Sequence, residues 1–114
     1  KELEKDAISL QEAGASCLVL ECVPSLVAER VTKLLKIPVI GIGAGSKCDG
    51  QVLVTEDMLG LTNIAPKFVK KYIDLESLIN KAAHQYADEV RNRKFPGTEH
   101  TYAMNPQVIR KEGD

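Results

Sequence analysis

The run from Ala15 to Pro24, ASCLVLECVP, holds one acid, Glu21, in an otherwise apolar stretch. An ionised carboxylate left unpaired among Leu18, Val19, Leu20, Cys22 and Val23 would cost several kcal/mol, so it must be neutralised, matched by a partner, or set where a strand meets solvent. Glu21 stands near the end of the run, which favours the last arrangement. In parallel sheets ligands gather at the carboxyl ends of the strands, and an acid there is a candidate for proton transfer. A competing reading gives Glu21 no chemistry: it accepts hydrogen bonds from the free N–H groups of a helix following Pro24, or pairs with a lysine.

Other groups that could act are weaker. Gly41 to Gly45, GIGAG, superficially resembles a dinucleotide-binding turn but lacks the third spaced glycine opening a helix. Its glycines are better suited to turning the chain at a strand end and letting a ligand approach the backbone. Asp49-Gly50 reads as a turn. Glu56 and Asp57 close a possible third strand and could face the same pocket, although a pair of exposed acids is the simpler reading. His84 belongs to a long helix and His100 to the tail. Neither has a second His or Cys at ligand spacing, so no metal site is expected within the chain. Cys17, Cys22 and Cys48 form no CxxC pair and read as reduced, small core residues.

These groups need elements to hold them. Leu3, Ala7 and Leu10 recur at helical spacing over residues 2–13, with Gly14 as the stop. Residues 16–22 then read as a strand buried on both faces. Ser25 is a suitable N-cap for a helix over residues 26–36, whose apolar face is Val27, Val31, Leu34 and Leu35. Residues 37–42 make a second buried strand with Pro38 near its start. Two buried strands joined by a helix form a right-handed βαβ unit, so the fold class is α/β. Val52, Leu53 and Val54 suggest a third strand, although the connection to it is too short for a crossover helix, and residues 51–59 could also make a short helix. Pro66 is placed to open a helix with Phe68, Val69 and Tyr72 as its stripe. Asp74 can cap a final long helix with Leu75, Leu78, Ile79, Ala82, Tyr86 and Val90 on its buried face. From Lys94 onward the FPG and NP breaks indicate an extended arm, with the last few residues mobile.

Composition excludes several classes of partner. Fifteen Lys and Arg balance sixteen Asp and Glu, for a formal charge of −1, which leaves no electrostatic footprint for nucleic acid or anionic lipid. No apolar run approaches the ~20 residues a membrane helix needs, and the first residues, KELEKDAISLQ, are unlike a signal peptide. A soluble, cytoplasmic protein is the expectation. A chain of 114 residues that starts inside an amphipathic helix also suggests a fragment whose apolar faces expect more protein.

The run LVLECVPSLVAERVTKLLKIPVIGIGAGSKCDGQVLVTEDMLGL, continued by PKFVKKY and YADEVRNRKFPGTEHTY, closely resembles the C-terminal part of the 3-methyl-2-oxobutanoate (ketopantoate) hydroxymethyltransferase family. The resemblance reaches from EAGAS to EHTY. It implies part of a (β/α)8 TIM barrel: strands six (16–22), seven (37–42) and eight (51–55) with closing helices in residues 1–93, then the arm at 94–114. A whole barrel takes about 250 residues, so the chain would be under half of one.

The family adds a hydroxymethyl group, carried by 5,10-methylenetetrahydrofolate, to 3-methyl-2-oxobutanoate on the way to pantothenate. The glutamate of its LECVP motif is taken as general base, and that motif stands here as Leu20-Glu21-Cys22-Val23-Pro24. A proton α to a ketone is weakly acidic, so such a base works best titrating near neutrality, and apolar surroundings shift carboxylates that way. The resemblance further implies an Mg²⁺ whose acidic ligands come from earlier strands, partnership with an N-terminal barrel half, and a homo-oligomer. It assigns no folate-holding residue. It also implies that these residues alone do not catalyse the reaction. One departure is Glu56, where the family commonly has His or Tyr. The alternative is a non-catalytic half-barrel that docks its open sheet edge and apolar helix faces on a partner.

Overall fold

The computed structural model describes residues 1–104. Its elements are α1 (Glu2–Glu12), β1 (Leu18–Glu21), α2 (Ser25–Leu34), β2 (Val39–Ile42), β3 (Gly50–Gln51), α3 (Thr55–Met58) and α4 (Leu75–Arg91), then a 3-10 turn at Thr98–His100. The chain divides into two compact units, Lys1–Leu75 and a second beginning at Glu76.

The first unit is a helix-backed parallel sheet in the order β1-β2-β3. Leu18 pairs with Val39 and Glu21 with Ile42, while Ile40 pairs with Gly50. Leu20, Val39, Ala7, Ala28, Val31 and Ala44 make the buried core, with Leu18, Val23, Leu35 and Cys48 packed against it. Burial alternates along β1: Leu18 and Leu20 are covered, whereas Val19 is 56% exposed and Glu21 is exposed. The continuous apolar run therefore buries one face here and not two. Cys17 and Cys22 are likewise exposed, against their expected place in the core, although all three cysteines are free thiols.

Polar contacts lock the helices to the sheet. Arg30 Nε lies 3.0 Å from Glu4 Oε1, joining α2 to α1. Gln11 Oε1 accepts from the N–H groups of Lys36 and Ile37, at 2.6 and 3.3 Å, anchoring the approach to β2. Pro24, not Ser25, occupies the N-cap of α2, with no side-chain cap bond; its carbonyl accepts from the N–H groups of Val27 and Ala28. Ser25 instead packs against Gly45, where an added Cβ would come within 2.6 Å of its own.

Three other expectations change. The third strand pairs only at Gly50–Gln51; the Val52 N–H makes one more bond to the Gly41 carbonyl, and the chain then turns into α3, a short helix inside residues 51–59, where a helix was the alternative. Pro66 opens a single turn closed by the Val69 N–H, not a helix. In the second unit, α4 has no buried residue, and Leu78, Ile79, Tyr86 and Val90 are 43 to 58% exposed. Helical spacing specifies that they share a face, but it does not specify what covers the face.

The arm read from Lys94 is not extended at its start. The Lys94 N–H donates to the Glu89 carbonyl at 2.7 Å, and the Phe95 ring meets Tyr86 edge-on at 5.6 Å and His100 at 5.1 Å. The part of the arm at 105–114, including the residues expected to be mobile, lies outside the described residues. No helix of the described residues is long and apolar enough to cross a membrane.

Candidate active site

Strand β1 ends at Glu21, and alternation along it sets the side chain on the sheet face opposite the one that packs on α1 and α2. Val19 belongs to the same face, and the partners across the ladder are Ile40 and Ile42. The surroundings are thus aliphatic on the sheet side and open on the other. Glu21 is exposed, so the apolar enclosure expected of it is not supplied by the described residues.

The residue after it has an unusual backbone. Cys22 has φ of 55°, in the left-handed region that non-glycine residues seldom occupy. Its N–H donates to the Ile42 carbonyl at 2.9 Å, so the ladder extends one step beyond Glu21 before the chain swings toward α2. Such conformations cost on the order of 1–3 kcal/mol and cluster at ligand sites.

Cys22 also forms part of the wall of a cleft of about 760 Å³. Gly43 and Gly45, Gln51, Lys67 and Phe68 line it as well, together with Cys48 and Asp49. Gly43 has φ of 64°, and a Cβ there would lie 2.7 Å from Phe68 Cδ1; the phenyl ring rests directly on bare backbone. The Gln51 side-chain amide donates to the Gly45 carbonyl at 2.9 Å, which stiffens the loop over the cleft. A second hollow of about 450 Å³ shares Gly43, Gln51 and Phe68 with the first and adds Met58, Lys70 and Tyr72. Lys70 Nζ stands 4.9 Å from the Tyr72 ring centroid.

Glu21 is not in the wall of this cleft; its neighbour Cys22 is. Asp49, read as a turn residue, has a structural duty: Oδ2 accepts from the Val39 N–H at 2.8 Å, fastening the loop to the start of β2. Glu56 and Asp57 sit in the first turn of α3, outside the cleft. His84 Nδ1 is 2.7 Å from the Asn80 carbonyl oxygen on its own helix, and His100 lies in the 3-10 turn against Phe95. Lys67 and Phe68 were missed because Phe68 and Tyr72, four residues apart, imitate a helical stripe. The available signal was the Lys-Phe pair directly after Pro66, at the mouth of a turn. Among the described residues no three His, Cys, Asp or Glu side chains come together as a metal cage.

The model of the family described as ketopantoate hydroxymethyltransferase matches residues 1–98. Proteins named 3-methyl-2-oxobutanoate hydroxymethyltransferase are similar over most of this chain. That of Nitratidesulfovibrio vulgaris (strain DP4) is 57% identical over 101 residues, covering 88% of this chain and 33% of its own length. Those of Carboxydothermus hydrogenoformans and Enterococcus faecalis are 47% and 49% identical over 112 residues, covering 97% of this chain and 41% of their own lengths. The chain thus spans about a third to two fifths of these relatives. With a matching model over most of its length and relatives near half identical, the chain belongs to the ketopantoate hydroxymethyltransferase family, a family of transferases.

Proposed function

We propose that this chain supplies the base-bearing part of a 3-methyl-2-oxobutanoate hydroxymethyltransferase of pantothenate synthesis, with Glu21 as the general base. The observation that carries the reading is the position of Glu21: last residue of a parallel strand, on the sheet face turned away from the helices. In a (β/α)8 barrel that face is the interior and that end is where substrates bind. β1, β2 and β3 then correspond to staves six, seven and eight, and an N-terminal segment of the family provides the others. Closing the barrel over Val19, Ile40 and Ile42 would give Glu21 the apolar surroundings that suit a base at neutral pH.

The chemistry assigned to this chain is a proton transfer. A Glu21 carboxylate oxygen takes the proton from C3 of 3-methyl-2-oxobutanoate, the carbon that receives the hydroxymethyl group. The donor is 5,10-methylenetetrahydrofolate; its methylene carbon, with oxygen from water, becomes the hydroxymethyl group, and tetrahydrofolate leaves. The Mg²⁺ implied by family resemblance finds no cage among the described residues, so its ligands would belong to the N-terminal segment. A cytoplasmic homo-oligomer is part of the same proposal.

The test combines this chain with the N-terminal segment of the Enterococcus faecalis relative and follows two readouts. Exchange of the C3 proton of 3-methyl-2-oxobutanoate in D₂O needs no donor and reports the base alone. Ketopantoate formation reports the whole reaction. Glu21→Gln is expected to slow both by about 10²–10⁴-fold, the range over which a positioned general base acts. Exchange retained near the parent rate in Glu21→Gln overturns the base assignment.

A further inference from the structure

Strand β1 is held on one side only: among the described residues its neighbour is β2, and the sheet order leaves its other edge open. The Leu18 N–H donates to the Pro38 carbonyl and the Cys22 N–H to the Ile42 carbonyl, both at 2.9 Å, so the ladder is fastened at its foot and again just past Glu21. N–H groups along a strand point to alternate edges, so that of Glu21 points away from β2. The upper end of the Glu21 backbone is therefore fixed by the peptide unit it shares with Cys22, the last of this strand that β2 holds.

The chain has little room in which to leave that bond. Only Cys22 and Val23 separate Glu21 from Pro24, the N-cap of α2, whose carbonyl already accepts from the Val27 and Ala28 N–H groups. A residue before proline is restricted to extended backbone, and Val23 also packs on the core, so the turn out of the strand falls on Cys22. It is made there by a φ of 55°. Glycine adopts that region freely, asparagine at small cost, and a β-branched residue hardly at all. A residue excluded from it has to let go at one end. Ala28 and Val31, both fully buried, hold the α2 end, so the bond to Ile42 gives and Glu21 moves with it. The Cys22 side chain is exposed at the cleft wall and adds nothing to that bond.

We propose that Cys22 is a positioning residue for the base: its left-handed backbone, and not its thiol, keeps the 21–22 peptide bonded to the Ile42 carbonyl while the chain turns into α2, and so fixes Glu21 at the end of the ladder. This rests on the reading of Glu21 as the general base and adds to it the device that holds the base still.

The test measures C3 proton exchange of 3-methyl-2-oxobutanoate in D₂O against keto acid concentration, in this chain combined with the N-terminal segment of the Enterococcus faecalis relative, and scores kcat per folded molecule beside the thermal midpoint. Cys22→Val is expected to lower kcat about 10–100-fold, the cost of misplacing a catalytic group by a fraction of an ångström to an ångström, with KM within about twofold of the parent. Cys22→Gly, the conservative variant for the backbone, is expected to rescue kcat to within about threefold and to leave the midpoint as high as the parent's or higher. A merely structural role would lower the midpoint of Cys22→Val and leave kcat per folded molecule where it was. That result overturns the proposal, and so does a loss in Cys22→Gly as large as in Cys22→Val, because the thiol would then be the group required. Should Cys22→Val not fold, an ester in place of the 21–22 amide removes the N–H and keeps the side chain; it is expected to lower kcat about tenfold, and an unchanged kcat overturns the proposal. Exchange kept in Glu21→Gln overturns the base reading itself, whereas exchange lost there but kept in Cys22→Val overturns only the role of Cys22.

Discussion

The two faces of the β1–β2 sheet are made from nearly the same residue types and end in opposite states. Toward the helices, Leu20 and Val39 are buried against Ala7, Ala28 and Val31, and the layer is closed within 45 residues of chain. On the other face Val19 is 56% exposed, Ile40 and Ile42 are half-buried, and Glu21 sits among them. Hydrophobicity of a strand thus does not by itself say how many of its faces are covered. The face with the surplus of uncovered aliphatic surface is also the face with the acid, as expected if a further layer both completes the core and encloses the reaction.

The largest break of this comparison is Glu21→Gln in the combined protein, with an expected loss of about 10²–10⁴-fold in C3 proton exchange. Because the side chain is exposed in the chain by itself, the same substitution should shift denaturant stability of the isolated chain by no more than about 0.5 kcal/mol. A large stability change would mean that Glu21 serves the fold. Next comes Leu20→Ala, which opens a cavity in the closed face and should cost about 2–5 kcal/mol in urea unfolding. Val19→Ala, one residue away on the open face, should cost under about 1 kcal/mol in the isolated chain. Adding the N-terminal family segment should raise the cost of Val19→Ala toward that of Leu20→Ala. A gap that does not narrow would show that this face is not the inside of a barrel.

Asp49→Ala ranks below these. It leaves the Val39 N–H without its acceptor and should cost about 1–3 kcal/mol, with Asp49→Asn restoring part of the loss through its amide oxygen. The smallest effect is at Glu29, on the solvent side of α2. A hydrogen bond from Lys33 at 2.7 Å, reinforced by the lysine charge, holds its carboxyl below the ordinary glutamate value. A depressed folded-state value means that the contribution is present above the unfolded carboxylate's pKa and is lost as pH falls through the folded one. Lys33→Ala should return the Glu29 titration, followed by carboxyl NMR, to the ordinary range.

Periodicity was a sound guide where one element packs on another of the same chain. α1 and the two longer strands lie within the expected ranges, and α2 starts one residue early, at Ser25, since Ala7, Val31, Leu20 and Val39 carry both the pattern and the burial. It misled where apolar residues do something else. Val52, Leu53 and Val54 spell a strand, yet one further backbone bond to Gly41 is all that β3 gains from them. Phe68 and Tyr72 spell a helix after Pro66, but each lines a hollow instead. For the site, the acid and its motif were legible, because a charge in an apolar run has few explanations. The cleft was not, because it is assembled by a left-handed Cys22, a phenyl ring on Gly43 and the Asp49 bond, none of which leaves a spacing signature.

That Asp49 bond has a mechanical consequence. Parallel strands are ordinarily linked by a dozen or more residues forming a helix, whereas β2 and β3 are joined by residues 43–49 alone. The carboxylate works as a guy-rope from the far end of this short span to the foot of β2, so the glycine floor and the Glu21-bearing ladder travel as one body. The opposite bank is tied to that body through Phe68, whose ring is seated on Gly43.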